Sequence, residues 1–450
     1  MALVLALCVV VARAAPAQGG MRPSPALLAL LAEFDRMAAL PLWPGFEPRR
    51  TPLAIYDGTH TWLVRHPSPP DGYLPVRGRS DIVVAGGRQA EVTSNSSATI
   101  GGVPTATVMP SPPGSDARHR AGVAIHEAFH VFQRARHQAW QANEVDFFTY
   151  PHTDAANLAG RRREYALLRL ALATRDSAGA ACHAFIALLE RDTRYRTLGA
   201  AGVAYERLGE LNEGLATYVQ MRAIGAPDAE AVPDSTLPPD GVRAQLYLGG
   251  PAWGRLLDRF ARGWRDTLER RDSLTLDGLL MRALLRTSTE RPNCGLGAAR
   301  WAAIDSAAAR DAAGLVRSLA ADGERFLARA GWRIVIDASR SPIFPAGFDP
   351  LNVRRVSERN VLHTRFVELA NGQGRLHVVG RGALTESAGA HPMFSGARTV
   401  TIAGLDAEPV VRDSAGTTLV TADGVTARFA RATVAREGQV VRVTLAPPSP

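Results

Sequence analysis

The residues with the most chemical potential in this chain form one short run, His126-Glu127-Ala128-Phe129-His130, inside the segment Asp116–Gln133. On a helix, side chains four apart lie one turn above each other on the same face. His126 and His130 can therefore direct ring nitrogens at one metal ion. Glu127 lies about 100° further round, where it reaches a water on the metal rather than the metal itself. Zinc takes nitrogen ligands in a tetrahedral arrangement with one open position, and lowers the pKa of water held there. Glu127 then has the right type and place for the general base. Ile125, Phe129 and Phe132 form an apolar stripe on the other side, which would anchor the helix in a core. The plain alternative is two surface histidines on an ordinary helix, so a third ligand has to be found.

Three places offer one. A metzincin pattern requires Gly at 133 and His at 136, where this chain has Gln133 and Arg136; His137 is one position out of register. Glu164 lies on a predicted helix without a recognisable context. Glu213 stands in Asn212-Glu213-Gly214-Leu215-Ala216-Thr217-Tyr218. That run resembles the N-E-G-[FL]-A-x-Y ligand helix of the gluzincins, the group of zinc metallopeptidases that contains thermolysin and the aminopeptidase-N-type enzymes. The resemblance implies that His126, His130 and Glu213 bind Zn2+ and that Glu127 activates water. A solvated helix face, Glu206–Glu210–Glu213–Thr217, is the alternative for Glu213. The stretch Gln245–Asp258, with Tyr247, Gly249, Leu256 and Leu257, is similar to the helix whose tyrosine donates a hydrogen bond to the oxyanion in aminopeptidase-N-type enzymes. The resemblance thus implies a catalytic Tyr247, with core packing as the alternative. Pro251 disfavours the carbonyl of Tyr247, so a kink or a helix starting near Gly250 is expected.

The departures from that family are definite. Between His130 and Glu213 lie 82 residues, far more than the usual short spacer, and a helical pair at 154–192 must fold out of the way. The G-x-M-E-N motif that holds a substrate amino terminus is absent. The resemblance spans roughly residues 80–290, with specific motifs only at three helices. His119 and His137 flank the motif and read as polar surface, with orienting substrate or supporting the ligands as the alternative. By analogy with the superfamily, Thr99–Met109 is the candidate edge strand for pairing with an extended peptide.

The elements that must position these residues follow from composition shifts. Residues 25–40 read as a short amphipathic helix. Residues 41–113 are rich in Pro and Gly, with strand-like runs at 53–56, 61–64, 82–84, 90–93 and 105–109, and read as a mainly antiparallel sheet. Helices are expected at 116–141, 154–175, 179–192, 200–223, 250–271, 275–286 and 297–330, with a loop at 224–241. Beyond Trp332, strand-like runs occur at 332–336, 365–369, 375–379, 399–402, 417–421, 425–429 and 440–445. Asn371-Gly372 and Asp423-Gly424 between them are hairpin signals. The fold class is α+β: an N-terminal antiparallel β-rich region (18–113), a mostly helical zincin-like core (114–331) and a C-terminal all-β domain (332–450), after a signal peptide at 1–17.

Composition narrows the partners. The net charge is +9, but there is no lysine, and all 52 basic residues are arginines dispersed among Asp and Glu. Arg161-Arg162-Arg163 is the longest basic run and sits on a predicted helix. Neither a basic patch nor a nucleic-acid motif is present, so nucleic acid is not expected as a partner. Leu3–Ala12 is a short apolar run followed by small residues in Ala12-Arg13-Ala14 and Ala15-Pro16-Ala17, a signal-peptide pattern without a basic start. Ten apolar residues are too few to span a bilayer, so no stable membrane span is expected. Export makes a bridge between Cys182 and Cys294 permissible, with two buried thiols as the alternative. The expectation is an exported zinc metallopeptidase, periplasmic or extracellular, that acts on a peptide or protein. An inactive binding or scaffold protein on the same fold, and a zinc hydrolase of a non-peptide substrate, stay open.

Overall fold

A computed structural model describes residues 21–112, 114–231, 236, 238–287, 294–349, 352–414 and 416–447. The expected signal peptide at 1–17 lies outside the described residues. The chain divides into two compact units. One comprises the described residues up to Gln138 together with Val219–Ala226; the other comprises Ala139–Tyr218 and the chain from Pro227 onward. Helices and strands are segregated along the sequence, as an α+β chain requires.

In the first unit, α1 (Pro25–Ala38) starts where Ser24 accepts a hydrogen bond from the Leu27 amide and Pro25 occupies the first turn. A six-stranded sheet follows: β1 (Leu53–Tyr56), β2 (His60–Val64), β3 (Leu74–Val76), β4 (Arg79–Gly86), β5 (Ser96–Ile100) and β6 (Val103–Val108). Its order is β3-β4-β2-β1-β6-β5, and all neighbours are antiparallel except β1 and β6, which run parallel. The two strands absent from the sequence reading, β3 and β5, are the two edges. Edge strands tolerate Pro75 and the polar run Ser96–Thr99, which hides them from a hydrophobic pattern. The expected strand at 90–93 is a turn instead, in which Val92 plugs the core while its amide bonds back to the Gln89 carbonyl at 3.0 Å. The proposed edge segment Thr99–Met109 also needs correction. Most of it is β6, paired to β1 on one side and β5 on the other, so the free edge belongs to β5. The next element, α2 (Ala117–Arg136), packs on α1, β5 and β6.

In the second unit come α3 (Glu144–Phe147), α4 (Ala155–Ala173), α5 (Ser177–Gly209), a π-helical turn at Glu210–Gly214, and α6 (Leu215–Ile224), whose residues from Val219 group with the first unit. The gap expected at 193–199 shrinks to one residue: α5 breaks only at Gly199, with φ near 80°. The remaining helices are α7 (Val242–Phe260), α8 (Trp264–Glu269), α9 (Leu276–Thr287) and α10 (Ala298–Leu327). The expected start near Gly250 is wrong by about two turns, because α7 runs from Val242 straight through Pro251. Burial of Gly249, Gly250, Ala252 and Trp253 in the helical core offsets the lost hydrogen bond. Cys182 and Cys294 are joined in a disulfide across 112 residues of sequence.

Past α10 the chain is all β. One sheet runs in the order Ala432–Glu437, Val440–Leu445, Trp332–Asp337, Ala397–Leu405, Ala383–Ser387, Asn360–His363 and, at its edge, Val353–Arg355. The other runs Val410–Ser414, Thr417–Ala422, Val425–Ala430, Gly374–Val379, Phe366–Asn371 and Phe344–Phe348. Ile334, Ile336, Val400 and Val443 of the first share one core with Leu369, Leu376, Val420 and Phe429 of the second, so the two sheets form a sandwich. Both predicted hairpins are present, with Asn371 opposite Gly374 and Ala422 opposite Val425. Among the described residues no helix is long and apolar enough to cross a membrane.

Candidate metal centre

Helix α2 is fixed at both ends of the site. The Asp116 side chain caps its start by accepting from the His119 amide at 2.7 Å. Gly122 lets it approach the 219–226 segment, since a Cβ there would stand 2.7 Å from the Ile224 side chain. Phe129 meets Trp43 and Phe46 edge-on, with centroids 5.5 and 5.1 Å away, and stacks on Phe132. The expected apolar stripe therefore locks the rotation of the helix and turns its other face, with His126, Glu127 and His130, toward the site. All three are buried, each at 6% exposure, which removes the reading of two surface histidines.

The two imidazoles face each other, Nε2 of His126 and Nε2 of His130 being 3.1 Å apart. The far nitrogen of His130, Nδ1, is 2.8 Å from the Gln133 side-chain oxygen. Gln133, one turn along the helix, thus orients the His130 ring so that Nε2 faces His126. His137 is likewise buried, at 3%, against the Phe132 ring, and is not the polar surface expected of it; His119 is exposed.

Glu213 sits in the π-helical turn, where the sequence reading expected uninterrupted α-helix. The extra residue in this turn re-aims the side chains that follow. Two features hold the turn. Gly214 and Gly250 are in backbone contact, so that a Cβ on Gly250 would be 2.2 Å from the Gly214 Cα. Glu210 is buried and gripped by Arg191 (Nη1–Oε2 2.9 Å) and by the Trp253 indole N–H (3.1 Å). Arg191 and Arg194 also share Glu164, while Arg194 pairs with Glu206 at 2.6 and 2.7 Å. Glu164, Glu206 and Glu210 are therefore neither a solvated stripe nor metal ligands. Burial alone would raise the Glu206 carboxyl, but Arg194 and Arg161 hold it far below the usual carboxylate range.

Two residues of α7, one turn apart, attend the Glu213 carboxylate. Arg243 donates to Oε1 at 3.0 Å and also pairs with Glu144. The Tyr247 hydroxyl shares a hydrogen bond with Glu213, and its pKa is pushed well above the phenol range by burial and by that carboxylate. Sequence reasoning found Tyr247 but gave its proton a different partner. It missed Arg243 altogether; the i, i+4 spacing to Tyr247 was the available signal.

The ligand atoms offered by His126, His130 and Glu213 lie within 4.8 Å of one another, and all three residues are buried. Two imidazole nitrogens and one carboxylate oxygen, with one imidazole already oriented by a side-chain acceptor, form a donor set able to hold a divalent metal. No known protein family, characterised protein or solved structure matches this chain. The chemistry of the centre must therefore be argued from its own atoms. Among the described residues this is the group of His, Cys, Asp and Glu that could hold a metal ion.

Proposed function

We propose that the protein is an exported zinc-dependent hydrolase that cleaves peptide bonds on a zincin-like core. The observation that carries this reading is the buried convergence of His126, His130 and Glu213. The donor set N, N, O suits Zn2+ better than Mg2+ or Ca2+, which take oxygen ligands. Zinc, when bound, would supply Lewis acidity toward a carbonyl and toward water. The rest of the work falls to the chain. Glu127, buried next to His126 on the locked face of α2, accepts a proton from the attacking water and returns it to the departing amine. Tyr247 contributes a hydroxyl that stays protonated across the physiological range; it bonds to Glu213 in this structure, and serves developing negative charge only by turning from that carboxylate. Arg243 and Gln133 hold Glu213 and His130 in place. The disulfide between Cys182 and Cys294 supports a compartment that is oxidising, in keeping with export.

The test is cleavage of a mixed peptide library by the zinc-loaded protein, beside Glu127→Gln and His130→Ala. Removing the base should lower turnover by at least about a hundredfold while zinc still binds. Removing the ligand should abolish both. Equal cleavage by the wild type and Glu127→Gln would overturn the assignment of the base. Absence of zinc from the purified, zinc-incubated wild type would overturn the centre itself.

A further inference from the structure

The second unit contains a cavity of about 590 Å³ that reaches the residues attending Glu213. Arg243 and Tyr247 line it at one side, and Val353, Arg354 and Arg355 of the sandwich's edge strand line it at another. Phe147, Phe148 and Leu319 add apolar wall. Its size lies within the ~300–1,000 Å³ typical of small-ligand pockets. Its basic groups are not equivalent. Arg243 is neutralised by Glu144 and Glu213, and Arg354 is paired with Asp322 at 3.1 Å. Arg355 has no ion-pair partner among the described residues. One of its nitrogens, Nη1, is spent on the Phe148 carbonyl at 2.8 Å, which fixes the guanidinium and leaves its other N–H groups for something else. His152 also lines the cavity, with Nδ1 3.1 Å from the Tyr150 carbonyl oxygen. Burial and the nearby charge of Arg355 both lower its pKa, so it adds no second cation at neutral pH.

Asp240 also lines the cavity and Glu358 acts electrostatically on Arg355, but neither forms an ion pair with it among the described residues. A half-buried guanidinium held at one nitrogen, in a chamber where Phe147, Phe148 and Leu319 supply apolar wall, is an arrangement that recognises a carboxylate attached to an apolar group. The geometry points to a subsite for the carboxy terminus of a peptide ending in an apolar or aromatic residue, with Arg355 as its anion-binding residue. Resting on the hydrolase reading above, this makes the protein a carboxy-terminal exopeptidase. In the reaction the scissile C–N bond breaks and the water oxygen bonds to the carbonyl carbon. One water proton passes to the released amino group, and the short carboxylate-bearing product is left in the cavity.

The experiment separates binding from turnover. The zinc-loaded, full-length Glu127→Gln protein is titrated calorimetrically with N-acetyl-phenylalanyl-phenylalanine, with the C-terminal amide of the same peptide, and with inorganic phosphate. The free acid should bind about tenfold or more tightly than the amide, the value of one charge-assisted hydrogen bond. That preference should vanish in Arg355→Gln and return in Arg355→Lys, which keeps the charge. It should persist when His126 and His130 are both replaced by alanine, because the subsite does not use the metal ligands. Acid preference without cleavage by the wild type would refute the peptidase reading and support the subsite. Equal binding of acid and amide to the wild-type cavity, an acid preference untouched in Arg355→Gln, or full displacement of the acid by millimolar phosphate would overturn the proposal.

Discussion

Gly250→Ala tests whether Glu213, the proposed metal ligand, is held by backbone contact. A Cβ on residue 250 would lie 2.2 Å from the Gly214 Cα and 2.5 Å from its carbonyl carbon, where ordinary contact begins at 3.4 Å. Both obstacles are backbone, so no side chain can rotate away. The π turn and α7 must part by about 1 Å. Overpacking of this kind costs typically 1–3 kcal/mol and occasionally more, while alanine returns about 0.5–1 kcal/mol through its helix propensity. The expected net loss is about 1–2 kcal/mol, read as a lower urea midpoint at unchanged slope. Zinc affinity should fall further than stability, because Gly214 directly follows Glu213; displaced ligand support costs about 10–100-fold. Competition with a chromophoric chelator measures it. Gly314→Ala in α10 is the matched control. There the nearest obstacle is the end of the Arg317 side chain at 3.9 Å, so the same change should stabilise by about 0.5–1 kcal/mol and leave zinc alone. If Gly250→Ala retains wild-type zinc affinity and midpoint, the close approach does not position Glu213.

Two further outcomes concern the frame around the site. Arg194→Met takes from Glu206 and from one oxygen of Glu164 the guanidinium that pairs with them, leaving Glu206 only the more distant charges of Arg161 and Arg191, and should cost about 3–5 kcal/mol in urea unfolding; adding Glu206→Gln should recover part of it, and a loss under 1 kcal/mol would show that the network is dispensable. His363, buried in the sandwich, has its pKa pushed down to about 4 by burial, so the fold holds it neutral. Its contribution is complete above pH 6.5 and is lost as pH falls toward 4, because the unfolded chain takes up the proton first. At 1.36 kcal/mol per unit, that is at most roughly 3 kcal/mol. His363→Leu should flatten the pH dependence of the unfolding midpoint between pH 7 and 4.5, and equal slopes for the two proteins would refute the assignment.

What the sequence discloses here depends on the range of the forces involved. The site helix was legible because a four-residue spacing and the stripe Ile125–Phe129–Phe132 are both local. Glu213 was legible as a motif, and the hairpins at Asn371-Gly372 and Asp423-Gly424 as turn chemistry. The edges β3 and β5 were not, since a strand that pairs on one side can be polar or contain proline. The same holds for Ala432–Glu437 and Val410–Ser414, which expose most of their side chains. His137 was misjudged because its burial is imposed by neighbours, not by its place on α2. The extension of α7 back to Val242 is also tertiary: Pro251 and two glycines argue against a helix there, and packing overrides them.

The π turn is the most instructive omission, because residues far from it in sequence hold it in place. Ala155–Ala173 and Ser177–Gly209 occupy the interval between His130 and Glu213 as the pair α4 and α5. Arg191 of α5 grips Glu210, the first residue of the turn, while its partner Glu164 comes from α4. The pair α4 and α5 therefore supplies the cation that allows Glu210 to be buried three residues before Glu213. A buried ion network is weak evidence for stability, since its desolvation offsets most of its attraction. It is better suited to specifying one geometry, because three carboxylates and two guanidiniums are paired at once. Here the register it specifies is that of the turn, and so the direction in which Glu213 points.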